Sequence, residues 1–197
     1  IIGKPKKEEE LKNLVGETIT AKGIGGEYAF NLWKDHLATA NVPVDHPRNL
    51  AFVPASPTKA AIMFDLVTSA SSIHGAYWME GAGGIFCENE AMKWIVSLTE
   101  MPEGAFGVFT SGGTAANLSA IVTAREHWRE NPEFQREKGL IITSIGAHSS
   151  IKAMAKVADV DILLVDSEER LTGEDLRLAI RGLTEHERKC LFAVVAT

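Results

Sequence analysis

Two short runs carry the residue types that could do chemistry. Phe109-Thr110-Ser111-Gly112-Gly113-Thr114-Ala115-Ala116-Asn117 sets hydroxyl side chains around a pair of glycines. Glycine lets backbone N–H groups come close to an anion. A helix starting here would add unpaired N–H donors and the positive end of its dipole. Ser111 and Thr114 add hydroxyl donors, so Gly112, Gly113 and Thr114 read as a phosphate cradle. No Lys follows the glycines, which excludes a Walker loop, and the G-x-G-x-x-G order of a dinucleotide fingerprint is missing. A Ser/Gly helix cap with no ligand uses the same letters, and spacing alone leaves both readings open.

The second run, Ala147-His148-Ser149-Ser150-Ile151-Lys152, offers an imidazole at the end of a strand-like stretch. Residues after a strand are often functional, so His148 is the candidate catalytic group, beside a capping or packing role. Ser149 and Lys152 match the S-x-x-K pattern of serine acyl-enzymes, but no Ser-Asp-Asn or Lys-Thr-Gly partner is present. A helix cap at Ser149 or Ser150 explains them better. Asn117-Leu118-Ser119 is a glycosylation sequon by letter, inside a helical pattern and without a secretion signal, so it is set aside. His36, His46, His127 and His186 show no metal-ligand spacing, and the last two fall in charged, surface-like stretches. Trp33, Trp78, Trp94 and Trp128 read as packing residues.

The elements that must hold these runs alternate. A lead-in over residues 1–10 reads as poorly packed. A helix is predicted over 27–40, then an extended loop through Pro43, Pro47 and Pro54. Ser56-Pro57 looks like a cap with Pro at the first helical position, opening a helix that carries Ala60 to Val67. A Gly- and aromatic-rich stretch, 75–84, separates it from a helix over 88–99. Strands are predicted over 105–110, 139–144, 161–165 and 191–196. Helices are predicted between them over 113–128, 149–157 and 174–182, the last entered through a capping signature at Thr172 to Asp175. Such alternation belongs to an α/β fold with a mostly parallel sheet flanked by helices. Apolar runs such as Ile162-Leu163-Leu164-Val165 suit strands covered on both faces. The chain ends on one such strand with nothing after it, as expected of the front part of a longer, truncated domain.

Composition narrows the class. The 197 residues are 45% hydrophobic and 23% charged, enough to build a core, and carry a net charge of −6. An acidic chain without a basic-aromatic strip is a poor nucleic-acid binder. No apolar run has the ~20 residues of a membrane helix. Cys87 and Cys190 by themselves are too few for a disulfide framework or a four-ligand zinc site, and no leader pattern is seen, which together suggest a reducing, cytoplasmic compartment.

Taken together, the two runs resemble the group II pyridoxal-phosphate-dependent decarboxylases, the family of the aromatic amino acid and glutamate decarboxylases. The resemblance extends over residues 45–197. It rests on His46-Pro47, Phe52-Val53-Pro54-Ala55, Gly75-Ala76-Tyr77-Trp78, Glu88 with Trp94, the Ser-Gly-Gly-Thr and His-Ser-Ser blocks, and Val195-Ala196-Thr197. It implies a fold-type I large domain that binds pyridoxal 5′-phosphate, with Gly113 and Thr114 on the phosphate. It implies that His148 stacks on the pyridine ring and either touches the substrate carboxylate or relays a proton. Phe52, Pro54 and Ala55 would line the substrate pocket. His74 and Ala76 would reach the partner's pocket across a homodimer interface, with residues 1–44 as a helical dimer-clasping segment.

This sequence departs from the family pattern in two places. Met79-Glu80-Gly81-Ala82-Gly83-Gly84 stands where a Ser-Pro segment is common, and His74 stands where aromatic amino acid decarboxylases carry an apolar residue. The resemblance places the cofactor-binding Lys and the Asp that bonds the pyridine nitrogen beyond Thr197, so the chain alone is expected to be inactive. Lys152 does not match that Lys motif. The implied activity of the intact protein is decarboxylation of an L-amino acid. Alternatives are another fold-type I enzyme, sphingosine-phosphate-lyase-like or desulfurase-like, or a non-catalytic assembly module.

Overall fold

The computed structural model describes residues 4–51, 53–167 and 170–196. The chain divides into two compact units, residues 1–82 and 83–197.

The first unit is helical. α1 (Glu8–Val15) begins inside the stretch read as a loose lead-in, with acidic residues in its first turn and a Glu8–Lys12 ion pair of 2.6 Å along one face. α2 (Gly26–Leu32) runs on through a π turn (Trp33–Leu37) and a 3₁₀ turn (Ala38–Ala40), filling the helix expected there. α3 (Lys59–Ser71) is capped by Thr58, whose hydroxyl accepts from the Ala61 N–H, and not by the Ser56-Pro57 pair. α4 (Trp78–Leu98), whose residues from Gly83 on belong to the second unit, starts ten residues earlier than the pattern suggested. It keeps going through the glycines because only Gly81 leaves helical geometry. A Cβ at Gly81 would lie 2.5 Å from the His74 carbonyl oxygen, so the kink needs glycine.

The second unit holds the sheet. α5 (Gly113–Arg129) leads to β1 (Leu140–Ser144), α6 (Ser149–Val157), β2 (Asp161–Val165), α7 (Gly173–Gly182), α8 (Glu185–Cys190) and β3 (Leu191–Val195). The strands are parallel in the order β2-β1-β3, with a register irregularity at Leu140/Ile141 on the β3 side. β1 is central and buried along its whole length. Its side chains alternate between two cores. Ile141 packs with Ile121 of α5 and Ile151, Met154 and Ala155 of α6. Leu140 and Ile142 pack with Leu183, Cys190 and the inner faces of α7 and α8. Coverage on both faces is why these strands read as unbroken apolar runs. Capping boxes start α7 at Thr172/Asp175 and α8 at Thr184/Glu187. α8 has only six residues, too few to show a periodic pattern in the sequence.

Residues 105–110 are not a strand. The apolar pattern is there, but the segment hydrogen-bonds to neither sheet edge among the described residues, and Phe106, Val108 and Phe109 stay exposed. A strand exists only as part of a ladder. The tryptophans divide as well. Trp128 stacks between Phe134 and Phe192, while Trp33, Trp78 and Trp94 lie on faces open to solvent. No helix among the described residues is long and apolar enough to cross a membrane.

Candidate functional site

The Ser-Gly-Gly-Thr run lies where the sequence placed it, at the start of α5. Gly112 is the N-cap, and no side chain caps the helix. The first-turn N–H groups therefore have no side-chain acceptor, which is the condition for anion binding at a helix start. The loop itself is tied down. The Gly112 carbonyl accepts the Thr110 hydroxyl at 3.0 Å and the Ala116 N–H at 3.1 Å. A Cβ at Gly112 or Gly113 would meet nothing within 4 Å, so these glycines border open space. That space is a cavity of about 470 Å³ lined by Ser111, Gly112, Gly113, Thr114, Ala115, Leu118 and Met154. The size falls within the ~300–1,000 Å³ of small-ligand pockets.

His148 follows β1 and caps α6 itself, in place of Ser149 or Ser150. Its Nδ1 accepts the Ser150 N–H at 3.2 Å and lies 2.9 Å from Ser150 Oγ. Asn117 Nδ2 of α5 donates to the same Oγ at 3.0 Å. With Asn117 donating, the Ser150 hydroxyl donates onward to Nδ1. Nδ1 is then the bare nitrogen, and the proton sits on Nε2. The ring is exposed, while Ser150 beneath it is buried. Asn117 and Ser150 thus tie the imidazole to the cradle helix. The sequence reading missed both roles, because Asn117 looked like part of a sequon and Ser150 like a cap. The only signal was their placement in the two motif blocks.

The other candidates lie in the first unit. Pro54 and Ala55 are exposed in the irregular chain before α3, and Phe52 lies outside the described residues. His74 is exposed in the turn after α3, with Nδ1 2.5 Å from Glu80 Oε2 and its ring edge-on to Tyr77.

A family model described as the pyridoxal-dependent decarboxylase conserved domain matches residues 11–197. The chain belongs to this decarboxylase family. Its curated relatives include an aromatic-L-amino-acid decarboxylase of Bacillus atrophaeus, 28% identical over 173 residues, covering 88% of this chain and 35% of that protein. An L-2,4-diaminobutyrate decarboxylase of Rhizobium meliloti (strain 1021) is 28% identical over 159 residues, with 78% and 31% covered. Mouse CSAD, crystallised in apo form, superposes with a TM-score of 0.79 at 23% identity, over 98% of this chain and 42% of that one. The chain spans about a third of the length of these curated relatives. Its fold is the fold-type I architecture, and the family's cofactor is pyridoxal phosphate. The uncapped helix start, the open space before Gly112 and Gly113 and the two nearby hydroxyls suit a phosphate ester.

Proposed function

We propose that this decarboxylase-family chain forms the phosphate end and one ring face of the cofactor site in a protein that decarboxylates an L-amino acid to an amine. The observation that carries the reading is the Asn117–Ser150–His148 relay beside an uncapped α5. When bound, pyridoxal phosphate supplies an electron sink for the bond to the departing carboxylate. The chain's own residues do the rest. The first-turn N–H groups of α5 and the Thr114 hydroxyl hold the phosphate, with Gly112 and Gly113 keeping side chains out of its way. His148, fixed in one tautomer through Nδ1, presents its face to the ring and its Nε2–H as a donor toward the substrate carboxylate. His74, steered by Glu80, serves the pocket of the second protomer in a homodimer.

The test is to measure CO₂ release by the full-length protein over a panel of L-amino acids. One or more substrates are expected to release CO₂, and His148→Ala is expected to lower kcat by about 100-fold or more, the scale of a positioned acid or base. Gly113→Val is expected to weaken cofactor binding in an absorbance titration. Carbon–carbon cleavage without CO₂ would replace the reading with a lyase, and tight cofactor binding by Gly113→Val would remove the cradle from it. The absence of any turnover would leave an assembly module.

A further inference from the structure

We propose that Glu137, His186 and Cys190 form a binding site for a divalent cation of the zinc class, at the opposite edge of the sheet from His148. Residues 137 and 138 precede β1, Asp161 opens β2 and Cys190 precedes β3, so the cluster lies at the amino-terminal edge of three parallel strands. His148 follows the carboxyl-terminal end of β1. The two sites are therefore separate.

The geometry is nearly that of a bound ion. His186 Nε2 is 3.7 Å from Cys190 Sγ and 3.5 Å from Glu137 Oε2. One ligand atom from each of the three residues lies within 4.8 Å of the others. Tetrahedral zinc, at about 2.3 Å from sulfur and about 2.0 Å from nitrogen or oxygen, sets S···N at about 3.5 Å and N···O at about 3.3 Å. The Cys190 Sγ to Glu137 carboxylate edge is held only to within 4.8 Å, and Glu137 and His186, the two less buried members, are the ones that would close it. A thiolate and an imidazole select zinc-like ions over magnesium or calcium. The adjoining cavity, about 310 Å³, leaves a fourth position open.

His186 Nε2 is a single atom facing both a thiol and a carboxylate, so the three residues turn three electron-pair donors toward one point, the arrangement a cation takes. The surroundings are acidic as well: Asp161 and Glu187 line the adjoining cavity together with Glu137. Lys138, the nearby cation, is 2.8 Å from Asp161 and 3.8 Å from Asp159, so its charge is already shared between carboxylates. Histidine spacing alone missed the site, because its ligands are a His and a Cys one helical turn apart on α8 and a Glu 49 residues upstream of the histidine.

The test is a cobalt(II) titration of the full chain carrying Cys87→Ser, which removes the exposed thiol. One equivalent is expected to bind with a thiolate-to-cobalt absorption band that zinc bleaches. Cys190→Ser should abolish the band. Because Cys190 is buried, the deciding variants are His186→Gln and Glu137→Gln, with circular dichroism as the check on folding. His186→Gln should weaken binding by about tenfold or more, and Glu137→Gln by less. Failure of the starting protein to develop the band, or an unchanged titration in a folded His186→Gln variant, would overturn the proposal.

Discussion

The two units build helices by the same rules but use them differently. In residues 83–197 the strands and α5 to α8 surround an interior, with Ile141 and Ile142 fully buried and a core on each face of the sheet. In residues 1–82 no described apolar residue is buried. α3 alone exposes Ile62, Met63, Phe64, Leu66 and Val67, each by more than half. Caps and turns are local and make a helix anywhere, whereas an interior needs partners from distant sequence. The residues that could hold a cofactor by its phosphate lie in the unit with the interior, because α5 and α6 must be fixed against β1 before Asn117 can reach Ser150.

The contrast predicts unequal responses to substitution. Ile142→Ala should be the most damaging, at about 2–5 kcal/mol in urea unfolding, since it opens a cavity against both neighbouring strands. A loss under 1 kcal/mol would mean that the interior of the second unit is loosely packed. Gly139→Ala should cost about 1–3 kcal/mol by overpacking, because its Cβ would stand 2.6 Å from the Phe192 ring. Thr58→Ala, which removes a cap and touches no core, should cost ~1 kcal/mol, visible as lost helicity. Phe64→Ser, on the exposed face of α3, should stay within about 0.5 kcal/mol. A cost there comparable to Ile142→Ala would show that the face is covered in the working protein.

Acid provides a subtler probe. Hydrogen bonds from the Thr184 backbone N–H and hydroxyl hold the Glu187 carboxyl below its ordinary value of 4.5, and those from the Thr172 hydroxyl and N–H do the same for Asp175. A depressed folded value gives a contribution that is complete above the ordinary value and disappears as the pH falls through the lower one. α7 and α8 should therefore fray on acidification before the strands open, seen as earlier amide exchange in those helices. Thr184→Ala should remove the pH dependence of α8 alone.

Legibility in the sequence followed the range of the forces. The spans of α6 and β2 were readable to the residue, because α6 carries its apolar residues at helical spacing and β2 is an unbroken apolar run. The Ser-Gly-Gly-Thr and His-Ser-Ser blocks were readable as motifs, and their order and separation marked the family. Residues 105–110 show the limit: their composition is that of a strand, but ladder partners cannot be read from the segment itself. The Asn117–Ser150 bond and the Glu137–His186–Cys190 cluster were invisible for the same reason. Each joins positions 33 or more residues apart, and no spacing rule reaches that far.

The packing around Trp128 has an optical consequence. Its indole is flanked by Phe134 and Phe192, and its Nε1–H donates to the Lys189 carbonyl at 3.1 Å, just ahead of β3. The other three tryptophans already face solvent. A red shift of emission on denaturation would thus come chiefly from Trp128, so the undocking of β3 could be followed through this one fluorophore without attaching a label.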